Sequence, residues 1–130
     1  MERIYEDYNF KGKRILIVDD EEINFLMLKD MLIDTGAEIF WAHTGQKAID
    51  LVQSGEQYDV VLMDMKMPVL DGFQTTMEIK KLSPTMKVLA QTAYALDDEQ
   101  NKCYEAGCDD YLSKPISMND LFEMVDKHIH

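Results

Sequence analysis

Apolar residues along this chain fall into two alternating rhythms, short continuous runs and longer stretches with helical spacing. RILIVDD (14–20) is an unbroken apolar run closed by acids, which fits a parallel strand covered on both faces. Behind it, EEINFLMLKDMLIDTG sets Met27, Leu28, Met31 and Leu32 in two adjacent rows four apart and stops at Gly36, so it predicts an amphipathic helix. AEIFWA (37–42) and TGQKAIDLVQSG (44–55) repeat the pair, with Ala48, Leu51 and Val52 on one helical face and Gly55 at its end. YDVVLMD (58–64) is a third strand, followed by MKMPVLDG, a loop punctuated by Pro68 and Gly72. A helix starts near Asp71, an N-cap residue with Gln74 three positions on. TMKVLAQT (85–92) and DDEQNKCYEAG (97–107) form a fourth pair, the helix carrying acids in its first turn and Gly107 behind it. CDDYLSKP (108–115) is a fifth strand. SMND, with Ser117 and Asp120 as a capping box, opens a last helix whose apolar face is Leu121, Phe122, Val125 and Ile129.

A strict strand–helix alternation builds a parallel sheet with helices on both faces, because each right-handed crossover must pack back onto the sheet. Five units are too few for an eight-stranded barrel, so an open doubly wound sheet is expected, and such sheets bind ligands beyond the carboxyl ends of their strands. The opening MERIYEDYNFKGK is charged, aromatic and weakly periodic, and residues 1–12 read as a linker ahead of a domain at 13–130.

The polar residues that close the apolar runs then gain a common address. Asp19 and Asp20 end the first strand, Asp64 the third, Thr92 the fourth and Lys114 the fifth. A lone buried carboxylate costs several kcal/mol, roughly, unless it is paired or neutralised, and one lysine cannot neutralise three. A divalent cation would. Oxygen ligands without histidine or thiolate suit a hard ion, and few carboxylates beside a phosphate suit Mg²⁺ better than caged Ca²⁺. A carboxylate placed as nucleophile can accept a phosphoryl group in line, with the metal and Lys114 neutralising its oxygens and the Thr92 hydroxyl donating to another.

Composition narrows the partners. Lysine and arginine total 13 against 25 acids, a formal charge of -12, which argues against a nucleic-acid backbone or an anionic membrane. No apolar stretch is long enough to span a bilayer and the start lacks a secretory pattern, so a cytoplasmic setting is expected. Cys103 and Cys108 read as small buried thiols, and His43, His128 and His130 form no metal spacing and carry no assigned role. Met63, Met65 and Met67 around Asp64 read as packing.

The acidic pair in LIVDDEE, the aspartate of LMDMKMPVLDG, the threonine and small residue of AQTAYA, and YLSKPI, in this order and spacing, resemble the response-regulator receiver domain of two-component signalling over residues 13–129. The resemblance implies a flavodoxin-like (βα)₅ fold with strand order 2-1-3-4-5. It implies that Asp64 takes phosphate from a phosphohistidine on a histidine kinase or histidine phosphotransfer domain. Asp20 is then the main metal-ligating acid, Asp19 helps through water or charge, and the Lys66 carbonyl is a further ligand to Mg²⁺. The Lys66 side chain sits where the family varies and is a candidate for setting how fast the acyl phosphate is lost. Thr92 and Ala93 would reposition toward the phosphoryl group, Lys114 would pair with it, and Lys114–Pro115 would be cis.

Tyr111 has two readings, the aromatic that swings inward as Thr92 moves, or a strand aromatic half-buried at the core's edge. The implied switch shifts the loop carrying Tyr94 and the face of helix 4, strand 5 and helix 5, with a phosphorylation-dependent dimer among its outcomes. Asn24 in DDEEIN resembles receivers fused behind sensor histidine kinases, and the domain is expected to be a phosphoacceptor rather than an enzyme in its own right, apart from its own phosphorylation and dephosphorylation. A free-standing regulator and a receiver-like module that is never phosphorylated stay open. An aspartyl-nucleophile phosphatase wants an acid where Lys66 stands, and a flavin module would find its phosphate repelled by DDEE.

Overall fold

The computed structural model describes residues 8–93 and 97–130. Five strands alternate with five helices: β1 (Arg14–Val18), α1 (Glu22–Ile33), β2 (Glu38–Ala42), α2 (Gly45–Gln53), β3 (Val60–Asp64), α3 (Gly72–Leu82), β4 (Lys87–Thr92), α4 (Asp97–Ala106), β5 (Asp110–Ser113) and α5 (Met118–Ile129). The strands form one sheet in the order β2-β1-β3-β4-β5, every pair parallel, as the βα alternation requires.

Period-two alternation divides the buried strand residues between two cores. Leu16, Val18, Val61, Met63, Val88 and Ala90 face α2, α3 and α4, whose Ala48, Val52, Ile79 and Cys103 cover them. Ile15, Ile17, Val60, Leu62, Leu89 and Leu112 face α1 and α5, met by Phe25, Leu28, Leu32, Leu121, Phe122 and Val125. Both cysteines are buried and free.

Helix ends follow the local chemistry. Asp71 and Gln74 make a full capping box on α3, while Ser117 accepts from the Asp120 N–H on α5 without a return bond. Thr44 caps α2 by accepting from the Lys47 N–H.

Two helical faces differ from expectation. In α1 the buried row is Phe25, Leu28 and Leu32, with Phe25 stacked on Trp41 at 4.7 Å, whereas Met27 is 40% exposed and Met31 half-buried. This helix is apolar nearly all round, carrying Ile23, Leu26 and Ile33 outward as well, so spacing alone could not single out its inner side. In α2, Ile49 is buried and Leu51 only half-buried. The segment expected to be a linker, 1–12, is described from Tyr8, and there it packs. Phe10 is fully buried, its N–H bonds the Thr35 carbonyl at 2.8 Å, and Tyr8 and Phe10 rest on Phe122 of α5. Among the described residues no helix is long and apolar enough to cross a membrane.

Candidate active site

On the α1 and α5 side of the sheet, the apolar strand positions give way at the carboxyl ends to polar ones. Two residues beyond Ile17 stands Asp19, two beyond Leu62 stands Asp64, two beyond Leu89 stands Gln91, and two beyond Leu112 stands Lys114. Asp64 is therefore the last residue of β3 and caps its own strand. The loop behind it is held tightly. Gly72 N–H bonds the Met65 carbonyl, and a Cβ at Gly72 would collide with the backbone of Asp64 and Met65, so only glycine fits. In the same loop Val69 sits at φ 67°, the middle of a three-residue turn closed by the Leu70 N–H on the Pro68 carbonyl.

Asp64 is 3% exposed, and its Oδ1 accepts from the Lys114 ammonium at 3.2 Å and from the Lys66 N–H at 3.1 Å. Burial raises its pKa above the ordinary value; Lys66 and Lys114 pull the other way, and Asp20 pushes up again. Asp19 is fully buried, its Oδ1 accepting from the Glu21 N–H at 2.9 Å and its Oδ2 without a partner. Burial, with Asp64 nearby, lifts its pKa to about 6. Asp20 is exposed, and one oxygen from each of Asp19, Asp20 and Asp64 lies within 4.8 Å of the others.

Three carboxylates this close, one carrying an orphaned oxygen, are under-neutralised by one lysine, and an all-oxygen set fits a hard divalent cation. The residues fit the group that the sequence implies.

A cleft of about 530 Å³ opens over Asp64, lined also by Lys66, Thr92, Ala93 and Lys114 together with Gln91. Thr92 ends β4 and is 3% exposed, and the Lys114–Pro115 bond is cis. The structure thus brings together Asp19, Asp20, Asp64, Lys66, Thr92, Ala93 and Lys114. Tyr111 does not join them. It packs half-buried against the α2, α3 and α4 side with its ring 6.3 Å from Tyr104. The loop carrying Tyr94 lies outside the described residues. Gln91 was missed, although its signal is close to that of Asp64, a buried polar side chain near the carboxyl end of an apolar strand.

A family model described as the response regulator receiver domain matches residues 15–126. The hybrid signal transduction histidine kinase L of Dictyostelium discoideum is 37% identical over 122 residues, which cover 88% of this chain and 7% of that protein. The sensor protein GacS of Pseudomonas syringae pv. syringae is 38% identical over 122 residues, covering 90% of this chain and 13% of its own length. This chain thus spans a small part of the curated relatives it matches. Among solved structures, the receiver domain of a sensor histidine kinase from Pseudomonas aeruginosa, with a magnesium ion coordinated in its active-site cleft, superposes with a TM-score of 0.84 at 32% identity over 91% of this chain and 98% of that one. The order of acids, threonine and lysine along the sheet edge and the match over nearly the whole length agree: this chain belongs to the response regulator receiver domain family.

Proposed function

We propose that Asp64 is the phosphoacceptor of a phosphorelay and takes its phosphoryl group from a phosphohistidine. The observation that carries this reading is the convergence on one buried carboxylate of two further acids and the Lys114 ammonium. In the transfer an Asp64 oxygen attacks phosphorus and forms a P–O bond; the P–N bond to the imidazole breaks, and the imidazole keeps the electron pair and takes up a proton. Mg²⁺, held by Asp20 and Asp64 with the Lys66 carbonyl and aided by Asp19, supplies charge neutralisation for the cluster and the incoming phosphoryl oxygens. Lys114 moves its ion pair from the carboxylate to a phosphoryl oxygen, and the Thr92 hydroxyl donates to another. Ala93 follows Thr92 as the loop end closes on the group. The Lys66 side chain, at the cleft wall, sets how fast the acyl phosphate is lost.

The added charge then biases the face made by α4, β5 and α5 between two arrangements, Tyr111 moving with it, and that face changes its protein partner or pairs with a second copy. The similarity to receivers within long sensor kinases, together with Asn24, supports a hybrid histidine kinase as parent and a kinase or histidine phosphotransfer domain as donor, on the cytoplasmic side. The domain at 13–130, which residues 8–12 brace, acts as a phosphoacceptor and is an enzyme only toward its own phosphoryl group.

The test is to incubate the chain with Mg²⁺ and acetyl phosphate and measure intact mass. Wild type gains one phosphoryl group, and Asp64→Ala and metal-free samples gain none. Labelling that ignores either Asp64 or the metal leaves the passive receiver-like module as the reading.

A further inference from the structure

Among the described residues, two fully buried side-chain polar atoms have no hydrogen-bond partner: Asp19 Oδ2 and Gln91 Nε2. The first is an acceptor, and a cation answers it. The second is a donor and calls for an acceptor.

Its position says which one. Gln91 is 1% exposed and lies on β4, in register with Asp64 of β3 on one side and Leu112 of β5 on the other. All three positions share the α1 and α5 side of the sheet, about 4.8 Å apart from strand to strand. Lys114, two residues beyond Leu112, reaches Asp64 across β4, so the ion pair between them spans the strand that carries Gln91. The glutamine lines the phosphoacceptor cleft, and it lines a neighbouring groove formed with Asn24, Met27 and Pro115. An apolar side chain would serve the strand better in the resting state, because a buried donor left unsatisfied costs about 1–3 kcal/mol. The residues just before it, Leu89 and Ala90, are apolar and fully buried.

We propose that Gln91 is a phosphoryl-binding residue, its carboxamide N–H donating to an oxygen of the group that bridges Asp64 and Lys114. This rests on Asp64 being the phosphoacceptor. The amide stands unpaired before phosphorylation and paired after it, so it favours the phosphorylated state twice, by raising the resting state and by contacting the product. It also gives the phosphoryl oxygens a donor that does not depend on the movement of Thr92.

The test uses the 130-residue chain with Mg²⁺ and beryllofluoride as the phosphoryl mimic. Gln91→Met keeps the shape and removes the amide. It should leave thermal unfolding of the unloaded domain as high as wild type or higher, while weakening beryllofluoride binding by about ten- to a hundred-fold. A role confined to packing would move the two together. In wild type, the NMR signals of the Gln91 side-chain amide should shift and gain exchange protection on loading, a readout that does not require the variant to fold. Equal beryllofluoride affinity in Gln91→Met, or amide signals that ignore loading, would overturn the assignment and leave the amide to an ordered water. If wild type shows no Asp64-dependent binding of the mimic, the phosphoacceptor reading itself has failed, and the two failures are told apart.

Discussion

The two ends of the sheet both carry charge, and they treat it in opposite ways. At the amino edge the carboxylates are engaged. Asp59 accepts the Arg14 N–H at 2.7 Å, and Asp109 accepts from Lys80 at 2.7 Å and from the Val88 N–H at 2.8 Å. The Arg14 guanidinium bonds Glu56 at 2.9 Å and lies over the rings of Phe40 and Tyr58 at 4.6 and 5.0 Å. At the carboxyl edge Asp19, Asp20 and Asp64 crowd together, Lys114 bonds Asp64 at 3.2 Å, and Asp19 keeps an orphaned oxygen. The pKa directions follow: Asp19 and Asp64 are held above the ordinary carboxylate value, whereas Asp110 at the start of β5 is held below it. A satisfied charge cluster holds elements together, and an unsatisfied one is reserved for a ligand.

The largest contrast should come from removing one acid at the carboxyl edge. Asp64→Asn should abolish Mg²⁺-dependent labelling by acetyl phosphate outright, measured by intact mass, while the fold stays intact by circular dichroism. Residual labelling at another carboxylate of the cluster would mean that the edge does not single out Asp64.

Asp19→Asn comes next, and its sign is the informative part. The asparagine keeps an acceptor for the Glu21 N–H and removes a buried charge, so the metal-free domain should gain about 1–3 kcal/mol in urea unfolding. Mg²⁺ at about a hundred times its dissociation constant should stabilise wild type by about 2.7 kcal/mol, and the variant should lose much of that increment. If the variant is less stable without metal, Asp19 is structural and the contrast between the edges weakens.

How much of this was legible beforehand depends on the signal each residue carried. The strand order and the converging acids were readable because, in an alternating chain, a continuous apolar run closed by a polar residue marks a buried parallel strand and its carboxyl end. The orientation of α1 was not, since Ile23, Leu26, Met27 and Ile33 are exposed apolar residues that blur the stripe marking its inner face. Tyr8 and Phe10 read as linker because two aromatics on a short segment have no period, and only the packed structure shows Phe122 waiting for them. Gln91 was hidden by its neighbours: next to the threonine of the AQTAYA motif, it looked like part of a family signature. His128 had no sequence context at all, because its partner Asp110 is 18 positions away.

A milder change belongs to the amino edge. Arg14→Met should lower the urea midpoint, since it breaks the contacts with Glu56 and the Gln57 carbonyl, yet leave Mg²⁺-dependent labelling at the wild-type rate. A change in labelling would mean that the two ends communicate through β1, and the division between a structural and a reactive edge would fail.

The smallest effect is one of pH, and it opposes the two edges directly. Burial alone would raise the Asp110 pKa, but hydrogen bonds from His128, the Tyr111 N–H and Lys127 outweigh it and hold it below the ordinary value of 3.8, with Tyr104 also facing the carboxylate. A carboxylate whose folded pKa is depressed contributes stability that is present above its unfolded pKa and lost as pH falls through the folded one. Asp110→Asn should therefore lower stability at neutral pH, and the gap to wild type should close as pH falls below 3.8. Urea unfolding of both proteins across that range gives the sign. A gap that widens in acid would place Asp110 with Asp19 and Asp64, among the carboxylates the fold holds above their ordinary value.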